Sequence, residues 1–299
     1  MATIVTHDRQ QLHVTVVGRG KPVLMLHGFG MHGRQWLPFI LPYLHRFRFY
    51  LPDLRGAGRS EHLYFDKPDV FQCHMEDMQA LVEQLDLHDV MVAGYSLGAS
   101  VALHWQKFGD FRRVRRYLHI DQSPCIHNRR QWKHGLFGEQ QQSFFAELRS
   151  MLDILDAHPH RITIKDLPDD VQQDITQRMF NLFGHLINSQ RLTDVLEQHP
   201  SWLPWLRPLL PIQRLHVLRH YLTAYLKTSH DYRQAFVNST TPVTVFAGQH
   251  SQLYPLEGQA LFARAIGADL EIFKRSGHVP MFTQPLAFTI KLGRFLKQR

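Results

Sequence analysis

No apolar run in this chain approaches the roughly 18 consecutive residues that a membrane-spanning helix needs. The opening stretch, Met1 to Gln10, is polar and has no apolar core of the kind that marks a secretory signal, so the expected compartment is the cytoplasm. Cysteine is scarce as well: Cys73 and Cys125 are too few for a disulfide framework. There is no phosphate-binding loop of the G-x-x-x-x-G-K type, and no dinucleotide fingerprint follows the first strand-like run. Internal repeats and low-complexity segments are also missing. Carboxylates are the rarer charge, 26 Asp and Glu against 34 Lys and Arg, for a net charge of +8. Such a surplus attracts anionic surfaces, but it is distributed along the chain. Its densest cluster, Arg112, Arg113, Arg115 and Arg116, has no aromatic residues interleaved. It reads as a solvated loop near a helix C-terminus, and no nucleic-acid partner is expected.

What the chain does have is core-forming material. Hydrophobic residues make up 44% of 299 and charged residues 20%, which suits one large domain or a domain with an insertion. Strand-like runs at Leu12 to Val17, Val23 to His27, Phe47 to Leu51, Val90 to Gly94 and Tyr117 to Asp121 alternate with helical stretches near Arg34 to His45, Glu76 to Leu85 and Leu97 to Phe108. This alternation implies an α/β fold, a mostly parallel sheet with helices on both faces. The chemistry of such sheets gathers beyond the carboxyl ends of the strands. From about Pro124 to Ser239 the alternation stops. Apart from a short strand-like run at Arg161 to Lys165, helical patterns dominate: Gln141 to Ala157, Asp169 to Asn188, Arg191 to Gln198 and Leu209 to Lys227. Pro200, Pro204, Pro208 and Pro211 interrupt them. Strand signals return at Val243 to Gly248 and Leu270 to Phe273, each followed by a helical run, Leu256 to Ile266 and Leu286 to Gln298. Residues 1–123 and 240–299 are therefore expected to form the core, and 124–239 a helical cap or lid inserted between its halves.

The most informative five residues are Gly94-Tyr95-Ser96-Leu97-Gly98. They read G-x-S-x-G between an apolar run and a helical run, the context in which this motif forms a nucleophile elbow. A serine there stands on a tight turn at a helix N-terminus, where free N–H groups favour negative charge. A serine hydroxyl needs a base, and the chain has 21 histidines, so position must choose. His278, in Ser276-Gly277-His278-Val279-Pro280, follows the last strand, and the order serine first, histidine near the C-terminus, matches this motif. The segment His27-Gly28-Phe29-Gly30 opens a loop after a strand. Its glycines allow the Phe29 N–H to turn toward the site and, with the Leu97 N–H, to form an oxyanion hole.

These residues carry a resemblance. His27 to Gly30, the stretch Asp53-Leu54-Arg55-Gly56-Ala57-Gly58-Arg59-Ser60, Gly94 to Gly98 and Gly277-His278 together resemble the α/β-hydrolase superfamily, in its branch of cap-bearing serine hydrolases. The resemblance implies a mostly parallel sheet of about eight strands, an inserted helical cap and no cofactor. In relatives the stretch from Asp53 to Ser60 is a structural turn, and no chemistry is assigned to it. One position departs from the pattern. In most relatives the acid of the triad follows the strand after the cap, three residues past a glycine; here Ser251 stands there. Asp121, in His119-Ile120-Asp121-Gln122-Ser123-Pro124, supplies a carboxylate at the end of the strand before the cap. Some haloalkane dehalogenases and lipases of this fold place their acid after that strand.

The expectation is thus a serine hydrolase cleaving a carboxylic ester, thioester or lactone. Ser96 is the nucleophile, His278 the base and Asp121 the orienting acid, with Phe29 and Leu97 as oxyanion donors. Serine at the elbow argues against a dehalogenase or an epoxide hydrolase. The alternative on the same fold is a cofactor-free dioxygenase in which His278 takes a proton from a heteroaromatic substrate; a non-catalytic receptor is a third reading. No metal is expected. His216 and His220 share a helix face but lack a glutamate and a third ligand. Cys125 reads as a structural thiol. Trp132, Phe137, Phe144, Phe145, Phe180, Phe183, Trp202 and Trp205 all fall in the inserted block. A small-molecule substrate with an uncharged, moderately hydrophobic acyl or aromatic group is expected. Oligomeric state has no signature in the chain.

Overall fold

The apolar runs of the two halves pair into one sheet. A computed structural model describes residues 2–187, 210 and 212–298. Its strands are β1 Ala2–Val5, β2 Gln11–Gly18, β3 Lys21–Leu26, β4 Phe47–Pro52, β5 Val90–Tyr95, β6 Val114–Ile120, β7 Val243–Gly248 and β8 Asp269–Phe273. They lie in the order β1-β2-β4-β3-β5-β6-β7-β8. β2 is antiparallel to both its neighbours, and every pairing from β4 to β8 is parallel. The central strands are buried throughout, as parallel strands covered on both faces must be. The helices are α1 Leu37–Ile40, α2 Val70–Gln84, α3 Leu97–Phe108, α4 Gln141–Asp156, α5 Asp169–Ile187, α6 Leu215–Lys227, α7 Leu256–Ala265, α8 Pro280–Thr283 and α9 Pro285–Lys297. One apolar cluster joins the sheet to α2, α3 and the helices between β6 and β7; a second joins the other face to α1 and α9.

Several elements differ from the sequence reading. β1 was too short to leave an alternating pattern and exists by pairing with β2. α2 begins at Val70, well before Glu76, because the Asp69 side chain accepts the Phe71 N–H at 3.0 Å and caps it. The stretch from Arg34 to His45 is α1 flanked by single 3₁₀ turns, with Pro38 and Pro42 each at the start of a new turn. Arg161 to Lys165 is not a strand. Thr163 makes an isolated bridge to Arg214, and the Asp166 carboxylate takes the Thr163 N–H and hydroxyl, closing a 3₁₀ turn. The arginine cluster is not a loop: Arg115 and Arg116 lie in β6, and Arg116 is buried, donating to the Phe295 carbonyl at 3.0 Å. The helical pattern at Arg191 to Gln198, the start of the Leu209 to Lys227 pattern and the four prolines of that stretch lie outside the described residues, as do Trp202, Trp205 and the side chain of Phe183.

The N-terminal segment is fastened to the rest by a buried ion network. Arg55, in the turn after β4, donates through Nε and Nη2 to both oxygens of Asp77 on α2, each at 2.7 Å. It donates through Nη1 and Nη2 to Asp8 at 2.7 and 2.8 Å, and through Nη1 to the Tyr64 carbonyl. Every guanidinium donor therefore has a partner, the condition under which such a group tolerates burial. Arg55→Met would leave two carboxylates facing each other. We expect it to lower the unfolding free energy by about 3–5 kcal/mol in urea titrations; a loss below 1 kcal/mol would show that water reaches the carboxylates.

Candidate active site

Steric contact at the end of β5 fixes the position of Ser96. The strand runs straight into α3, and the serine between them has φ 50° and ψ −116°, a conformation that costs a non-glycine residue about 1–3 kcal/mol. The surroundings enforce it. A methyl group on Gly94 would lie 2.6 Å from the Gly98 carbonyl oxygen, and one on Gly98 would lie 2.4 Å from that of Leu26. The turn is closed by hydrogen bonds from the Ser96 N–H to the Ile120 carbonyl at 3.0 Å and from the Ala99 and Ser100 N–H groups to the Ser96 carbonyl. The Gln122 amide clips the same carbonyl at 3.1 Å and the Ser100 hydroxyl at 2.8 Å.

The Ser96 hydroxyl points at His278 Nε2, 2.9 Å away. His278 Nδ1 donates to Asp121 Oδ1 at 2.8 Å. With Nδ1 facing a carboxylate, the ring proton belongs there and Nε2 is left as an acceptor. The imidazole lies between two tyrosines, its centroid 5.1 Å from that of Tyr95 and 5.6 Å from that of Tyr254. The loop that carries it crosses the end of β7 so closely that a methyl group on Gly248 would sit 1.9 Å from the Gly277 carbonyl oxygen. Asp121, just past the end of β6, is fully buried and has φ 44°. Its Oδ2 accepts the Gly248 N–H at 2.6 Å, and its Oδ1 accepts the Ser251 hydroxyl at 2.6 Å as well as the His278 N–H. The structure thus brings Ser96, His278 and Asp121 together. It also adds Ser251, which sequence reasoning had treated only as a vacated position. The signal was available, since a hydroxyl three residues beyond Gly248 is placed to donate to a carboxylate on the neighbouring strand.

The loop after β3 lies on the other side of Ser96. His27 holds its base: Nδ1 donates to the Gly28 carbonyl at 2.8 Å and Nε2 accepts the Leu54 N–H at 2.9 Å. Burial pushes this imidazole down to about 4, so it is neutral. Gly28 comes close enough that a methyl group on it would be 3.4 Å from Ser96 Cβ. Phe29 and Ser96 line one cavity with Leu253 and Tyr254, and its outer wall is Leu136, Phe144 and Leu148 with Leu182, Tyr221, Leu222 and Tyr225. No charged side chain is among these residues. The Tyr221 hydroxyl is committed to the Arg55 carbonyl and to His74. Of the aromatic residues singled out in the sequence, Phe144 reaches the cavity. Trp132 instead donates to the Ser123 hydroxyl, and Phe137 packs on Phe144.

Other reactive side chains lie apart from this site. Burial pushes both thiols up to about 12, and Cys125 donates to Asp231. His220 donates to the His216 carbonyl within α6. Asp69, His104 and His230 converge closely enough to hold a cation. They already satisfy one another and their neighbours: His230 bonds Asp69 at 2.6 Å, and the two His104 nitrogens bond the Tyr232 hydroxyl and the Gln72 side chain.

A sequence model described as the alpha/beta hydrolase family matches residues 23–292. The chain is 25% identical over 291 residues to a pimeloyl-(acyl-carrier protein) methyl ester esterase of Vibrio vulnificus (strain YJ016), covering 95% of this chain and 97% of that protein. It is 30% identical over 133 residues to a soluble epoxide hydrolase of Corynebacterium sp. (strain C12), covering 42% of this chain and 45% of that one. A hydrolase from Pseudomonas aeruginosa PA01 superimposes with a TM-score of 0.73 at 19% identity, over 99% of this chain and 98% of the other, a likeness of fold.

The elbow geometry can be tested without any substrate. Gly98→Ala forces a methyl group against the backbone of β3 and is expected to cost about 1–3 kcal/mol of stability in urea unfolding. An unchanged midpoint would mean that β3 and α3 can separate.

Proposed function

This chain belongs to the alpha/beta hydrolase family, and from that premise we propose that it is a serine hydrolase that cleaves a carboxylic ester, or a related thioester or lactone, through an acyl-enzyme on Ser96. The observation that carries this reading is the unbroken hydrogen-bonded line from the Ser96 hydroxyl through His278 to Asp121. The Ser96 oxygen attacks the carbonyl carbon while its proton passes to His278 Nε2. The imidazolium so formed faces a carboxylate that three donors fix in direction. The developing oxyanion takes hydrogen bonds from the Leu97 N–H, at the start of α3, and the Phe29 N–H. One such donor is worth roughly 2.7–4 kcal/mol of barrier. His278 then protonates the leaving group. In the second half-reaction it activates a water that releases the acyl group, so the scheme calls on no cofactor.

Residues 124–239 act in this reading as the cap over the site. The cavity supports it, since Phe144, Leu148, Leu182, Tyr221, Leu222 and Tyr225 all come from that stretch while Phe29, Ser96 and Tyr254 come from the core. A wall without charged side chains favours an uncharged aliphatic or aromatic acyl group, because an ion buried there would have no partner. Among nitrophenyl esters, turnover is expected to rise with acyl length and then fall once the cavity is filled. A preference for dicarboxylic or phosphorylated esters would reverse this assignment.

The machinery has its own tests. A fluorophosphonate should form a single adduct, on Ser96, and Ser96→Ala should abolish both labelling and ester turnover. Full turnover in that variant, or oxygen consumption on a heteroaromatic substrate in place of ester cleavage, would overturn the proposal. Asp121→Asn is expected to lower kcat at least about 100-fold with the fold intact by circular dichroism; the same change in a serine-protease triad costs roughly 10⁴-fold. Ser251→Ala leaves the carboxylate two of its three donors, and a loss below about tenfold is expected.

A further inference from the structure

The surplus of positive charge is not spread over the molecule. Two stretches, residues 31–52 and 272–299, contain nine of the 34 lysines and arginines and none of the 26 carboxylates. The rest of the chain is close to neutral. In the fold these two stretches meet, because α1 and the turn after it pack against α9. The Tyr43 hydroxyl donates to the Thr289 carbonyl at 2.7 Å, and the Phe39 ring stands edge-on to both Phe282 and Phe288, with centroids 5.9 and 5.5 Å away. The same edge holds four of the ten large apolar side chains exposed among the described residues: Leu41 at 58%, Phe282 at 51%, Leu286 at 74% and Ile290 at 48%. Leu286 and Ile290 are one turn apart on α9 and share a face. Phe282 is on α8, which leads directly into α9, and Leu41 lies two residues beyond Phe39. Thr283 offers no free polar group between them, since its hydroxyl bonds the Val279 carbonyl and Ser276. Exposed cations flank the patch. Arg294 continues the face of Leu286 and Ile290, and Lys297 stands over the Tyr43 ring at 5.7 Å. Lys291 is neutralised by Glu271.

We propose that this edge docks the protein onto an anionic lipid surface, with Leu41, Phe282, Leu286 and Ile290 entering the boundary of the acyl chains and the surrounding cations level with the phosphates. An apolar face bordered by lysine and arginine, its neighbouring carboxylate Glu271 already paired to Lys291, is the physical signature of interfacial binding. A second copy of the chain is a poor occupant, because it would bring the same cations face to face. An acidic protein would have to cover four protruding apolar side chains with apolar surface of its own, whereas a bilayer supplies that surface everywhere.

The test is co-sedimentation of the full chain with vesicles of phosphatidylcholine alone and of phosphatidylcholine with phosphatidylserine. Binding to the anionic vesicles alone is expected, and it should weaken as salt is raised. Leu286→Ser with Ile290→Ser should cut partitioning at least about tenfold. Arg294→Gln with Lys297→Gln should cut it roughly 25-fold at low salt, about fivefold per cation. Both double variants should keep wild-type turnover of a water-soluble nitrophenyl ester, which shows that the fold is retained. The proposal fails if the wild type stays in the supernatant with anionic vesicles, or if the serine variants sediment as well as the wild type. It also fails if soluble polyglutamate displaces the vesicles completely, which marks a protein-facing surface. A wild-type dimer that Leu286→Ser dissolves would assign the patch to self-association instead.

Discussion

One buried carboxylate organises the carboxyl edge of the sheet. Asp121 follows β6, and its donors come from the ends of the next two strands: the Gly248 N–H and the Ser251 hydroxyl after β7, and the His278 ring after β8. A fully buried anion is costly unless its lone pairs are met, and here three donors within 2.8 Å meet them. Satisfying the charge therefore also fixes the geometry. The loops after β7 and β8 cannot drift apart without stranding it, and the ring they hold is aimed at Ser96 as a result. Gly248 makes this possible by letting the His278 loop pass across β7 with no side chain in the way.

The opposite side of the site is held by backbone contact rather than by charge. Gly94 and Gly98 bring β5, α3 and β3 so close that Ser96 is held in a strained turn between them. The strain is offset by hydrogen bonds made by the Ser96 N–H and carbonyl, two of them with Ile120 of β6 and with Gln122 just after it. Five neighbouring parallel strands, β3, β5, β6, β7 and β8, thus each contribute one part of a single constellation from their carboxyl ends, the general property of an open parallel sheet. The parallel register matters here. Tyr95 is level with Ile120, and Ile120 with Phe246, so the residues that follow emerge at one height.

Charge is partitioned as sharply as shape. Inside the fold, Arg55 is paired with Asp8 and Asp77 and hydrogen-bonded through every donor. The cavity beside Ser96 is lined without any charge. The edge built by the turn after α1 and by α9 carries the exposed cations Arg294 and Lys297 beside its protruding apolar side chains. In our reading these separate regions serve separate purposes: an apolar cavity for the acyl group and a basic, apolar-tipped edge for a lipid surface.

The sequence by itself determined the alternating, mostly parallel architecture and singled out Ser96 and His278, because those signals are local; the count of eight strands was implied by the family resemblance, since β1 leaves no pattern of its own. Strand periodicity, a turn that tolerates only glycine at two places and a histidine in a short loop after the last strand all sit within a few neighbouring residues. Asp121 was reachable only by noticing a serine where a carboxylate was expected and looking one strand back. What the tertiary structure decided was everything that depends on two distant segments meeting. That Ser251 donates to Asp121 needs β6 and β7 side by side. That Arg116 is buried needs α9 laid across β6. That two stretches rich in cations and free of carboxylates become neighbours, when the linear pattern shows only a scattered surplus, needs residues 31–52 packed against residues 272–298. Pairwise contacts across such separations leave no periodic trace in the chain, since each partner is compatible with many others until the sheet order selects one.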